Sequence, residues 1–323
     1  MQSYDYLNNL SGFDDFSMTY NIIHFIGKGA FGKTYYGWNK INNMEVAIKF
    51  INIDFFKTRS KNAIPQLVSE LKNLQQLSFR PNCSKFVVCY IEAFHFLVDQ
   101  NDTLVLITEY INGQNLAEYI SAQLSPILPE KLYEIYLEIS KGLKYIHESG
   151  FAHRDIKPDN IMITVQGQLK FIDFGMSCFM DNCRNYAGSK YFNPPEFNRR
   201  LMIDDPQKNI FPTGLLAAQA HDIFSLGIVF YMLATGVAPY ENWTDIMNKK
   251  LPIFPYGDGF LQFTNGDFNF LFDRMLHMDP NIRYNIFQVI NLLENPQKCV
   301  TISNQNQVQT SKQLINFELG EYL

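Results

Sequence analysis

The hydrophobic pattern of this 323-residue chain changes period near Gly113, and that change points to an α+β fold whose sheet and helices are segregated. Over residues 20–53, apolar and β-branched residues form short runs between Gly and Asn clusters: YNIIHFIGKG, KTYYGW, and MEVAIKFI after the turn residues Asn42-Asn43. Such runs predict a small antiparallel sheet. KFVVCYIEAFHF and DTLVLITEYI add two strand candidates. Before these two, AIPQLVSELKNLQQL repeats Leu67, Leu71 and Leu74 at helical spacing and is expected to open a helix near Pro65. Beyond Gly113, PEKLYEIYLEISKGLKYIHESG begins with Pro129, places Leu132, Ile135, Ile139, Leu143 and Ile146 on one face, and stops before Gly150. Further helical patterns cover residues 222–233, 268–276 and 285–293. Residues 1–19 lack a clear period and are expected to be a lead-in that packs on the body. Residues 297–323 form a polar extension that could dock through Leu314, Ile315 and Phe317.

An apolar share of 46% is ample for a sizeable core, while a net charge of -5 without a long basic run argues against a nucleic-acid surface as the main function. The acidic start, without an apolar block, does not read as a secretory leader. Residues 223–240 are eighteen in a row without a charge, close to the lower length for crossing a bilayer. Ser225, Gly227, Thr235, Gly236 and Pro239 interrupt them, and Asp222 and Glu241 bracket them. A buried core helix is the expectation, with no membrane span. The five cysteines, Cys83, Cys89, Cys178, Cys183 and Cys299, give an odd count with no paired framework, which predicts free thiols and a cytoplasmic location. Cys178 and Cys183 are close enough in sequence for a redox pair or a metal, but two unpaired thiols are favoured.

Residues 153–175 read HRDIKPDNIMITVQGQLKFIDFG and supply Asp155, Asn160 and Asp173. Phosphoryl transfer from ATP needs hard oxygen ligands for magnesium and a carboxylate that orients the attacking hydroxyl, and these are the residue types present. The turn GKGAFGKT sets Gly27, Gly29 and Gly32 between two strands, where glycine lets the backbone approach phosphates closely. A glycine pattern of this kind that led into a helix would suggest a dinucleotide fold; here it leads into a strand, with VAIK fourteen residues after the last glycine. Glu70 is carried towards the apolar face of its helix by its spacing from Leu67 and Leu74, so it needs a cation, and Lys49 in VAIK is the candidate.

Together HRDIKPDN, the DFG thirteen residues after its Asn, the glycine turn and VAIK resemble the catalytic and nucleotide-binding loops of eukaryotic protein kinases. The resemblance implies a two-lobed fold: an N-lobe antiparallel sheet plus one helix, and a C-lobe mainly of helices. It implies a kinase domain over residues 20–296, with N-lobe 20–108, hinge 109–113 and C-lobe 114–296. It also implies ATP and Mg2+ as cofactors, with Mn2+ as a substitute. Gly27, Lys28, Gly29 and Gly32 match the phosphate loop, and Lys49 would bind phosphates while paired with Glu70. Ile26, Ala47 and Met162 match the positions that sandwich adenine; Thr34 stands where Val is usual and would alter the ceiling over the base. Thr108 matches the gatekeeper, and Glu109, Tyr110 and Ile111 the hinge. Asp155 would orient the substrate hydroxyl, and Asn160 and Asp173 would hold the metal. Lys157 resembles the serine/threonine class, in which it neutralises the transferred group.

GSKYFNPPE, residues 188–196, resembles the end of an activation segment, with Pro194 in place of Ala. Glu196 would pair with Arg283, and Asp222 would brace the catalytic loop, with Phe224 where Trp is usual. Arg154 is of the kind that awaits a phosphate on that segment. The hydroxyl residues there are Ser177, Tyr186, Ser189 and Tyr191, and none is a Ser or Thr in the usual phosphosite region. Activity independent of Ser/Thr phosphorylation of this loop is therefore the hypothesis, with Asp181 or a modified Tyr186 as substitutes; collapse of activity in phosphatase-treated protein would count against it. Residues 197–221 look like an insertion near the peptide-docking face. Protein substrates with Ser or Thr acceptors are the expected partners, and nothing indicates an oligomeric state. A kinase-fold scaffold would be expected to lose Lys49, Asp155 or Asp173, and a small-molecule phosphotransferase to lack the segment 189–196; both rivals are weaker.

Overall fold

The strand-forming runs on either side of Asn42-Asn43 pair as their pattern predicts. In the computed structural model, which describes residues 2–28, 32–59, 63–179, 183, 188–198, 214–240, 243–247 and 268–295, they form β1 (Tyr20–Lys28), β2 (Gly32–Asn39) and β3 (Glu45–Asn52). With β4 (Tyr90–Val98) and β5 (Asn101–Glu109) they make one five-stranded antiparallel sheet in the order β1-β2-β3-β5-β4. Register sets Ala47 against Thr108 and Lys49 against Leu106. One face is sealed by Tyr20, Val46, Ile48, Phe94, Val105 and Ile107, together with Phe16.

Phe16 comes from the lead-in, which is helical: α1 (Gln2–Asn8) and α2 (Phe13–Thr19). Phe16 lies within 5.5 Å of both the Phe94 and Phe96 rings, a contact the irregular aromatic spacing did not reveal as helical. α3 (Ile53–Arg59) follows β3, and α4 (Ala63–Leu77) buries Leu67, Leu71 and Leu74 as their spacing predicts. Tyr6 of α1 donates to Gln75 of α4 at 3.2 Å, and Lys72 sits 5.0 Å over the Tyr6 ring.

Two compact units make up the chain: Met1–Asn115 with Asn160–Cys178, and Leu116–Asp159 with Phe179–Leu323. The sequence suggested one cut near residues 109–113, whereas the first unit reclaims a later stretch. The cause is a small sheet in which β6 (Gly113–Asn115) pairs with β8 (Ile161–Thr164), and β8 with β9 (Leu169–Phe171). In the second unit are α5 (Leu116–Ser121), α6 (Pro129–Glu148), β7 (Phe151–Ala152), α7 (Pro195–Asn198), α8 (Leu215–Thr235), α9 (Trp243–Met247), α10 (Phe268–Met275) and α11 (Ile286–Glu294). Pro129 opens α6, whose predicted apolar face is buried; Asn285 caps α11 through a reciprocal bond with Gln288. Tyr136 of α6 stacks on Phe230 of α8 at 3.9 Å.

Three sequence expectations change. β4 starts at Tyr90, so KFVVC, the opening part of the strand candidate KFVVCYIEAFHF, lies outside it. α8 starts at Leu215, so the last residues of the supposed 197–221 insertion are the opening turns of a core helix, as the helix-forming run LLAAQAH favours; residues 199–213 lie outside those described. Cys83 and Cys89 form a disulfide, their Cα atoms 5.3 Å apart in the loop that the Tyr90 N–H closes onto the Ser78 carbonyl, and Cys178 and Cys183 are each disulfide-bonded rather than free. The odd count concealed this pairing, and the reducing-compartment expectation loses the support it took from free thiols. α8 is long and apolar enough to cross a membrane by length and composition, but most of it, including Asp222, is buried in the second unit.

Candidate active site

In the first unit the candidate residues converge on Lys49. The strand carries it out of β3, and α4 presents Glu70: the Lys49 Nζ lies 3.9 Å from Glu70 Oε1 and 3.9 Å from Asp173 Oδ1. Burial works against the ammonium, yet the Asp173 and Glu70 carboxylates outweigh it and hold the Lys49 pKa above its ordinary value. Burial likewise pushes the Glu70 carboxyl up, to about 7, with Lys49 opposing and Asp173 reinforcing that rise.

Asn160 and Asp173 are brought together by a hairpin. β8 and β9 pair Ile161 with Phe171, so Asn160, just before one strand, and Ile172, just after the other, meet at one end, and the Ile172 N–H donates to the Asn160 carbonyl at 3.0 Å. Asp173 follows with φ 59, a left-handed conformation that non-glycine residues seldom adopt.

The glycine turn is described only in part, since Gly29 lies outside the described residues. Gly32 is fixed by the sheet itself: a Cβ there would come 1.9 Å from the Phe50 carbonyl oxygen, so close strand packing demands glycine whatever the turn binds. A Cβ on Gly27 would meet nothing within 4 Å. Ile26 and Thr34 lie on β1 and β2, Ala47 and Thr108 are register partners, and Met162 pairs with Asn115 on the small sheet. Glu109 is held from behind by Lys170 at 2.5 Å and by the Cys89 N–H at 2.9 Å, an anchor that the sequence did not suggest. Ile111 is buried.

In the second unit Asp155 and Lys157 form a triangle with Ser189. Lys157 Nζ is 2.7 Å from Asp155 Oδ2 and 3.2 Å from Ser189 Oγ, and the Ser189 hydroxyl donates to Asp155 Oδ1 at 2.8 Å. Behind them Asp222, wholly buried, accepts from the His153 N–H at 2.8 Å and the Arg154 N–H at 2.6 Å, and pairs with His147 Nε2 at 3.0 Å. Burial alone would raise the Asp222 carboxyl; the bond to His147 and the nearby His221 ring outweigh it and hold it far below the carboxylate range. Arg154, at φ 63, has its pKa lowered to about 10 by burial, with Asp222 opposing. Gly188 is required where it stands: at φ 96, a Cβ would fall 2.5 Å from the Arg154 carbonyl oxygen. Glu196 and Arg283 form the expected pair, forked at 2.8 and 3.2 Å. Asp181 and Tyr186 lie outside the described residues.

A family model for the protein kinase domain matches residues 20–292. The chain belongs to the protein kinase domain family. Among relatives of this kinase domain are the serine/threonine-protein kinase PrkC of Bacillus subtilis, 30% identical over 69% of this chain and 31% of that protein; the serine/threonine-protein kinase Nek5 of Homo sapiens, 31% identical over 69% of this chain and 28% of that protein; and the MAP3K epsilon protein kinase 1 of Brassica napus, 32% identical over 67% of this chain and 15% of that protein. The match thus spans less than a third of each of these relatives.

Within this kinase domain the sequence motifs named Asp222 and the Glu196–Arg283 pair but not His147 or Lys170, which bond to Asp222 and Glu109. His147 was missed because its partner Asp222 is 75 positions away. Lys170 was missed because its partner Glu109 is 61 positions away.

Proposed function

We propose that this kinase domain transfers the γ-phosphoryl group of ATP, with a divalent cation, to serine or threonine hydroxyls of protein substrates. The observation that carries this is the Asp155 carboxylate, oriented through one oxygen by the Lys157 ammonium and through the other by the Ser189 hydroxyl. A carboxylate so fixed can align an acceptor hydroxyl and receive its proton, while the adjacent ammonium offsets charge that develops on the transferred group.

Asp173 and Asn160 suit a hard cation by donor chemistry: one carboxylate and one amide oxygen at the end of a hairpin. Among the described residues no group of three or more His, Cys, Asp or Glu side chains forms a metal cage. Mg2+ is commonly held by one or two protein oxygens, with phosphates and water completing its shell, and Mn2+ accepts the same oxygen ligands. When bound, the metal nucleotide supplies the phosphoryl group and neutralises its oxygens. Lys49, steadied by Glu70, would anchor phosphates, and Ile26, Thr34, Ala47 and Met162 would enclose the base beside the 109–111 backbone. The domain is proposed to run over residues 20–296.

Incubation with labelled ATP, Mg2+ and generic protein substrates, beside Asp173→Asn and Asp155→Asn, tests this directly. Label should appear on protein with the parent chain and fall away with both variants, and phosphoamino-acid analysis should return phosphoserine or phosphothreonine. Transfer that is absent or independent of Asp173 would refute it.

A further inference from the structure

α4 approaches the segment around Asp173 at two points one turn apart. Glu70 is the first, by close packing against Gly175 and not by a bond. Asn73 is the second: it is buried, and its Nδ2 lies 3.2 Å from the Ser177 carbonyl oxygen and 3.0 Å from Ser177 Oγ. A carbonyl only accepts, so the amide nitrogen must face Ser177. The Ser177 hydroxyl in turn donates to the Phe174 carbonyl at 2.7 Å, and its backbone N–H donates to the same oxygen at 3.0 Å, closing a turn. Phe174 is itself buried.

This turn begins at the left-handed Asp173, whose Oδ1 accepts from the Gly175 N–H at 3.4 Å. A non-glycine residue stays in such a conformation only when its surroundings over-determine it. Gly175 lies so near α4 that a Cβ would stand 3.1 Å from Glu70 Oε2 and 3.3 Å from Asp173 Oδ1. With the near side set by Glu70 and the far end tied by Asn73, the turn has little room to relax.

We propose that Asn73 is a positioning residue for the divalent cation: by pinning Ser177 to α4 it keeps Asp173 in the orientation the metal requires. This rests on the assignment of Asp173 as a metal ligand. It goes further by giving an uncharged residue, in no recognised motif, control over metal affinity.

The test is binding of the fluorescent nucleotide methylanthraniloyl-ADP to the full chain, titrated with Mg2+, with the thermal midpoint recorded beside it. Asn73→Ala should raise the half-saturating Mg2+ concentration about fivefold to tenfold, the scale of one or two buried hydrogen bonds. Ser177→Ala keeps the bond to the carbonyl and should raise it about twofold to threefold. The double variant should fall short of the product of the two single effects, because both variants break the Asn73–Ser177 Oγ bond. A purely structural role would lower the midpoint and leave the Mg2+ dependence alone, and that result overturns the proposal; if Asn73→Ala does not fold, an unchanged Mg2+ dependence in Ser177→Ala overturns it equally. Asp173→Asn separates the two levels. If it abolishes the Mg2+ dependence while Asn73→Ala does not shift it, the latch alone falls. If Asp173→Asn has no effect, the metal assignment falls and the latch with it.

Discussion

Replacing Asp222 by Asn should destabilise the second unit while changing almost nothing in shape. The carboxylate serves two backbone donors, at 2.8 and 2.6 Å, and the His147 ring at 3.0 Å, all in a fully buried position. An asparagine offers one acceptor oxygen, and its NH2 must face at least one of these groups. One buried donor therefore loses its acceptor, at a cost of about 2–3 kcal/mol for a bond to a charged group. At roughly 2–4 °C per kcal/mol, the thermal midpoint at pH 7 should drop by about 4–12 °C. The sign with pH follows from the depressed carboxyl: Asp222 contributes stability above the ordinary carboxylate pKa, and that contribution is lost as pH falls through its lower folded value. The gap between parent and variant should accordingly be flat from about pH 8 to 5 and narrow only below about pH 4. Melting curves across that range provide the assay. A midpoint within a degree of the parent at pH 7, or a gap that widens in acid, would refute the account of Asp222 as an acceptor for the catalytic loop.

Three more outcomes follow from the geometry. Ser189→Ala removes a bond to the Asp155 carboxylate and should lower kcat about tenfold, whereas Ser189→Thr, which retains the hydroxyl, should stay within about twofold; steady-state kinetics separates them. Arg283→Met leaves Glu196 without its forked partner and should cost about 3–5 kcal/mol by denaturant unfolding, and Glu196→Met combined with it should recover part of that loss. Phe16→Ala opens a cavity among Tyr20, Phe94 and Phe96 and should cost about 3–5 kcal/mol in the same measurement; a loss below about 1 kcal/mol would mean α2 is not part of that core.

How much was legible in the sequence depended on whether the signal was local or carried by a motif, as the Glu196–Arg283 pair was. The 129–148 helix was readable from Pro129 and its apolar spacing, and the strands around Asn42-Asn43 from their turn. Charged site residues could be read because a carboxylate on an apolar helix face demands a partner, which led from Glu70 to Lys49. Neutral partners outside any motif carried no such demand. Asn73 is an amide whose bonds to Ser177 span 104 positions, and nothing in its neighbours distinguishes it from a solvated helix residue. The Cys83–Cys89 disulfide depends on how the loop after α4 folds back, which an odd cysteine count does not encode. The helical lead-in escaped notice because Phe13 and Phe16 gain order from rings of β4, not from any period of their own.

The first unit is drawn from two separate stretches of chain, and this sets an order on how it can come into being. A ribosome that has delivered residues up to 115 has supplied all the residues of the five-stranded sheet and of the Lys49–Glu70 pair, but neither β8 and β9 nor Asp173. Those arrive only after residues 116–159 have been synthesised. Until then β6 lacks its pairing strand, and Lys49 and Glu70 lack the third charge, Asp173, that completes their cluster. A fragment ending at Asn115, however carefully its boundary is chosen, would lack that strand and that charge for good.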